Sequence, residues 1–100
     1  MKIIWTKVSL QRLAEIEDYI SKDSSDRALK FIDRIINQGE SLTEFPNKGR
    51  IVPEFSIPEL REIIEQNYRI VYRIARTRIE ILTVFEGHRL IRTKEILKDK

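Results

Sequence analysis

The chain has 100 residues, a net charge of +3 and no cysteine, with 41% hydrophobic and 35% charged side chains. That length suits one domain with one core, spanning residues 1–100, and the composition excludes a disordered chain or a disulfide scaffold. The opening MKIIWTKVSLQRLAE is too short in apolar residues for a signal-peptide core, and no apolar run approaches spanning length, so the expected location is cytoplasmic, away from membranes.

Lys2–Trp5 (KIIW) reads as a first strand. Thr6 or Ser9 is placed to cap the helix that follows, over about Val8–Lys22, where Leu10, Leu13, Ala14, Ile16 and Ile20 recur at helical spacing. KDSSD (22–26) is a polar break, and Ser24 or Ser25 suits the cap of a second helix. In that helix Ala28, Phe31, Ile32, Ile35, Ile36, Gly39 and Leu42 form one apolar stripe, which Phe45 extends until Pro46 ends it. The short connection makes the pair an antiparallel hairpin. FPNKGRIVPEFSIPE (45–59) holds all three prolines and has neither period; a loop that long in a small domain points to function.

The remainder reads as sheet. LREIIE (60–65) is one strand, with an ambiguous pairing face. YRIVYRIA (68–75) alternates strictly, with Tyr68, Ile70, Tyr72 and Ile74 on a buried face and Arg69 and Arg73 on the other. In RIEILTVFE (78–86), alternation puts Ile79, Ile81, Thr83 and Phe85 on one face and Glu80, Leu82, Val84 and Glu86 on the other. HRLIRTKEILKDK (88–100) is a short terminal helix or a tail. The fold class is α+β: an N-terminal strand, then a helical hairpin packed on one face of a mostly antiparallel sheet of about four strands, in the order β-α-α-β-β-β. The other sheet face is expected to be open, carrying Arg69 and Arg73.

Charge is unevenly distributed. Residues 66–94 hold Arg69, Arg73, Arg76, Arg78, Arg89, Arg92 and Lys94 against Glu80 and Glu86 only. An arginine-rich stretch offers planar donor forks suited to phosphate or carboxylate, or it is simply a solvated face. With no cysteine and a single histidine, no recognisable metal-ligand pattern exists, and no glycine-rich phosphate loop precedes a helix. No cofactor is expected. What remains is a set sufficient for metal-free RNA cleavage. Glu54 would take the proton of the ribose 2′-hydroxyl, arginine would neutralise the phosphorane, and His88 would protonate the departing 5′-oxygen. The competing readings are plain. Glu54 pairs with Arg50 or Arg61, Arg61 pairs with Glu62 or Glu65, His88 is an ordinary surface residue, and Trp5, Tyr68 and Tyr72 belong to the core.

Several segments together resemble the RelE/ParE toxins of type II toxin–antitoxin modules: Trp5–Leu13, YI at 19–20, A-x-x-F-I at 28–32, FPNKGRIVPE at 45–54, LRE at 60–62, YRIVYRI at 68–74 and IEILTVFEGHR at 79–89. The resemblance covers nearly the whole chain. It implies a small toxin held inactive by a cognate antitoxin in a hetero-oligomer, and one of two mechanisms. RelE-like and YoeB-like members cut mRNA in the ribosomal A site; ParE-like members inhibit DNA gyrase without established ribonuclease activity. Whether the chain is an enzyme depends on which applies. In the YoeB-like pattern Glu54 matches the base, Arg69 the phosphate-binding arginine and His88, approximately, the terminal acid. Arg89 stands where a tyrosine often follows that histidine, and Lys48 is the nearest counterpart of the RelE lysine set. Lys48, Arg50, Arg61, Arg73 and Arg89 are the expected nucleic-acid or partner contacts. The long hairpin and the GR-x-VPE loop look ParE-like.

Overall fold

The structure, a computed structural model, describes residues 1–87. The terminal segment 88–100, read from sequence as a short helix or a tail and holding His88 and Arg89, lies outside the described residues. The elements are β1 (Lys2–Trp5), α1 (Lys7–Ser21), α2 (Ser25–Glu40) with a 3-10 turn at Ser41–Thr43, β2 (Arg50–Ile51), β3 (Leu60–Glu65), β4 (Tyr68–Ile74) and β5 (Arg78–Glu86). The expected order holds, with a two-residue strand, β2, added inside the long loop.

Local chemistry sets the helix starts. Thr6 Oγ1 accepts the Ser9 N–H at 3.1 Å, and Ser24 Oγ accepts the Arg27 N–H at 3.2 Å, each satisfying a donor that has no partner within its helix. Of the two cap choices at each end, Thr6 and Ser24 are the ones used. The α2 stripe buries Ala28, Phe31, Ile35 and Gly39, while Asp26 and Lys30 pair at 3.0 Å on the outside. The stripe is wider than the sheet beneath it. Leu10, Ile36 and Phe45, expected on the inner face, are exposed because no third layer covers the hairpin's flank among the described residues.

The sheet order is β1-β5-β4-β3-β2. β1 runs parallel to β5, and the other pairs are antiparallel. β3 and β4 join through Gln66–Asn67, where Gln66 takes a φ of 54°, as a tight turn demands. On the helix side the core unites Leu13, Ile16, Phe31 and Ile35 with Ile63, Tyr68, Ile70, Tyr72, Ile79, Ile81 and Val84. Tyr68 and Tyr72 are core residues, as expected, and Phe31 packs on Tyr68 with ring centres 5.2 Å apart.

Two expectations about the sheet are corrected. First, β5 does not alternate throughout. Its register shifts against β4 so that Val71 faces Thr83 and Tyr72 faces Ile81, leaving Leu82 as the extra residue of a bulge. The bulge exchanges faces beyond it. Val84 joins Ile79 and Ile81 on the helix side, and Phe85 turns to the opposite side, where Leu82 was expected and lies. Thr6 braces this point, its hydroxyl within 2.8 Å of the Ile81 carbonyl and 3.1 Å of the Leu82 carbonyl.

Second, the far face of the sheet is not open. Val52, Leu60, Val71, Leu82 and Phe85 form a second apolar cluster there, with Phe55 packed against it. Val52 and Phe55 come from the irregular loop, which folds across the sheet. The Val52 N–H donates to the Leu60 carbonyl, and the Val52 carbonyl accepts from Phe55 and Ser56. Val52 is fully buried. Burying a side chain of that size contributes about 2 kcal/mol, enough to fix a loop that has no regular pairing of its own.

Candidate functional site

The loop that covers the far face also builds the site. Tyr72 is wholly buried, and its hydroxyl donates to the Pro46 carbonyl at 2.7 Å while accepting the Gly49 N–H at 3.0 Å. Burial pushes this phenol's pKa up, so it stays a donor at neutral pH. Arg61 holds the same loop from the side, giving Nε to the Pro58 carbonyl and Nη1 to the Gly49 carbonyl. Arg61 therefore bonds backbone carbonyls rather than Glu62 or Glu65. Gly49 has no room for a side chain, since a Cβ there would lie 2.6 Å from the Glu62 carbonyl.

So anchored, the loop sets Arg50 and Glu54 against the edge of β3 and β4. Arg69 lies at the centre and is only 6% exposed. Its Nη1 and Nη2 donate to the two Glu54 oxygens at 2.8 and 2.7 Å, a planar fork-to-fork pair. Its Nε donates to Glu62 Oε1 at 2.6 Å, and Arg50 Nε reaches Glu62 Oε2 at 2.6 Å. The guanidinium also lies 5.2 Å from the Phe85 ring centre, a cation–π contact that depends on the bulge having turned Phe85 to this side. The result is a chain of alternating charge, Glu54–Arg69–Glu62–Arg50, with two carboxylates matched to two guanidinium groups.

The electrostatics follow the geometry. The Arg69 guanidinium holds the Glu54 carboxyl below the usual carboxylate range, and this outweighs the opposing effect of burial. Arg69 in turn is held more firmly protonated by Glu54 first, and by Glu62. A carboxylate in that state has a weak hold on a substrate proton, and a fork with every edge occupied has no free donor pair for a phosphate. Among the described residues, no group of three His, Cys, Asp or Glu side chains is arranged to hold a metal ion.

The expected site residues therefore divide. Glu54, Arg69 and Arg50 meet, and Glu54 pairs with Arg69 rather than with Arg50 or Arg61. Arg73 shares their sheet face but is bound to Glu80, which also takes Arg78. Burial pushes the Glu80 carboxyl up, but the two arginines together hold it below its ordinary range. Lys48 lies elsewhere, donating to Ser41 Oγ at the end of the hairpin. His88 and Arg89 lie outside the described residues. Glu62 was missed as a site residue. Its signal was there: in LREIIE it alternates with Leu60 and Ile64, a charge in an otherwise apolar register, and such a charge calls for a cation on the neighbouring strand.

Arg69 and Glu54 border a depression of about 610 Å³, also lined by Arg50, Pro53, Ile64, Asn67 and Gly87. Gly87, the last described residue, donates its N–H to the Asn67 carbonyl at 2.6 Å.

Comparison with known proteins bears on what such a fold does. Residues 3–91 match the family model described as ParE toxin of type II toxin–antitoxin system, parDE. The chain belongs to the ParE toxin family. This ParE-family chain is 40% identical over 89 residues to the protein named "Putative toxin Y4kP" of Sinorhizobium fredii (strain NBRC 101917 / NGR234), covering 87% of this chain and 88% of that one. It is 30% identical over 90 residues to Toxin RelE2 of Caulobacter vibrioides, covering 89% and 98%. A solved chain titled chromosomal ParDE TA system from P. aeruginosa superposes with a TM-score of 0.72 at 26% identity, covering 86% of this ParE-family chain and 95% of that one. The toxin role within a type II toxin–antitoxin system is thereby established. Among the described residues, no helix is long and apolar enough to cross a membrane.

Proposed function

We propose that this toxin arrests growth in the cytoplasm by binding its target rather than by cutting RNA, that the target is DNA gyrase, and that a cognate antitoxin neutralises it in a hetero-oligomer. One observation carries the choice: the fork of Arg69 is filled by Glu54 and Glu62. Cleavage of RNA needs a carboxylate free to accept a proton and an arginine free to meet a phosphate. In the free toxin as described, each of the two neutralises the other. Stoichiometric inhibition needs only a rigid, charged and partly apolar surface, which the Arg69 depression supplies. Gyrase enters through the family resemblance, and the antitoxin through that resemblance and the ParDE neighbour.

The test is direct. Purified toxin added to gyrase is expected to block supercoiling of relaxed plasmid at near-stoichiometric ratio. Total RNA from cells expressing it is expected to show no new mRNA 5′ ends at ribosomal A-site positions. Cleavage of mRNA on programmed ribosomes, with supercoiling untouched, would overturn the proposal.

A further inference from the structure

We propose that Glu54 is a placeholder: it fills an exchangeable seat on the outer edge of Arg69 that accepts an acidic side chain from a protein partner. This rests on reading the Arg69 depression as the toxin's recognition surface, though not on which target is engaged.

The two carboxylates on Arg69 are not equivalent. Glu62 lies on β3, its side chain is 0% exposed, and Arg50 holds its second oxygen. It cannot leave without stranding a charge in the interior. Glu54 lies on the loop, its side chain is 33% exposed, and it accepts from the two terminal nitrogens of Arg69. Both Glu54 and Arg69 line the depression. A Glu54 that swings into water is solvated, and Arg69 keeps Glu62 and the Phe85 ring.

Charge and surface chemistry select the occupant. With Glu54 displaced, Arg50 and Arg69 together face a single Glu62, which leaves one positive charge. One carboxylate balances it. A nucleic-acid backbone calls instead for a row of unpaired cations. The rim is also partly apolar: Ile64 is 48% exposed, and Pro53 is exposed beside it. Such a rim excludes water around a protein side chain and strengthens the pair it surrounds. The free toxin thus competes with its own partner for Arg69.

Chemical rescue tests the seat. Thermal unfolding of wild type and Glu54→Ala is followed as sodium formate replaces sodium chloride at constant ionic strength. The Arg69 Nε–H signal is followed by NMR in parallel. At about ten times its dissociation constant, formate is expected to raise the Tm of Glu54→Ala by roughly 5 °C or more, shift the Arg69 signal to saturation, and leave wild type unchanged. Glu54→Gln, which keeps the volume, serves if the alanine variant does not fold. No formate effect in either variant, an equal effect on wild type, or an effect that survives Arg69→Lys in the Glu54→Ala background would overturn the proposal. Inorganic phosphate outperforming formate would overturn the carboxylate assignment in favour of a nucleic-acid ligand. None of these measurements involves gyrase or ribosomes, so a wrong target and a wrong seat give different results.

Discussion

Glu62 Oε1 lies 2.6 Å from Arg69 Nε, and both side chains are withdrawn from water. A pair in that position holds the local structure together less by its own attraction than by the cost of breaking it. Glu62→Ala is expected to destabilise the protein by about 3 kcal/mol, since it leaves Arg69 buried against a partly exposed Glu54 and frees Arg50. Glu54→Ala is expected to cost about 1 kcal/mol, because a third of that side chain is already in water. Urea denaturation of both variants checks the order, and equal losses would refute the distinction between a fixed and an exchangeable carboxylate.

Acid should weaken the fold in a defined window. Glu54 and Glu80 are both held below the ordinary value of 4.5 by arginines. The folded state therefore binds fewer protons than the unfolded state on acidification. The stability these groups add is fully present above about 4.5 and is lost as pH falls through their folded values. From pH 8 to 6 neither group changes stability. Unfolding free energies measured from pH 7 to 3 are expected to fall less steeply for Glu54→Gln than for wild type, and parallel curves would refute the assignment for Glu54.

Tyr72 ties the site to the core through one oxygen. Tyr72→Phe keeps the ring and removes both loop bonds, leaving the buried Gly49 N–H without its acceptor. The expected cost is about 1–3 kcal/mol. Amide exchange at Gly49 should accelerate well beyond that of the β4–β5 ladder. Unchanged exchange would mean that Arg61 alone fixes the loop.

Across Ile81 from Tyr72, the Trp5 ring lies against Gly39, where an added Cβ would sit 2.5 Å from Cζ2. Gly39→Ala is a favourable change for an isolated helix by about 1 kcal/mol. Here overpacking is expected to win, for a net loss of roughly 1–2 kcal/mol. Trp5 fluorescence should shift, because the indole N–H is bonded to Glu40 at 2.8 Å beside the displaced ring. A more stable variant would show that the ring moves aside freely.

Much of this was legible in residue spacing. The α2 stripe, the helix caps to within two candidates each and the alternation of β4 read directly, because each is a local pattern within one element. What failed was non-local. Alternation cannot reveal the Leu82 bulge, since the extra residue is defined only against Val71 and Tyr72 on the neighbouring strand. The loop's cover of the far face depends on Val52 and Phe55, two apolar residues without a period. The site was half legible for the same reason. Glu54 and Arg69 stood out by type, whereas their mutual pairing and the role of Glu62 required knowing that β3 lies beside β4 with Glu62 on the loop-covered face.

The parallel pairing of β1 with β5 has a consequence for the order of events during synthesis. Ile3 pairs with Ile79 and Trp5 with Ile81, so the first strand made finds its neighbour only when the last described strand emerges. Contacts this distant in sequence close late and slow the search for the native state. Until then the hairpin, with its capped and local structure, has only part of its sheet to rest on, and the apolar strand KIIW waits unpaired. Whatever captures the chain in that interval meets it before the bulged strand has arrived to place Phe85 over Arg69. The seat on Arg69 is thus among the last features of the molecule to exist.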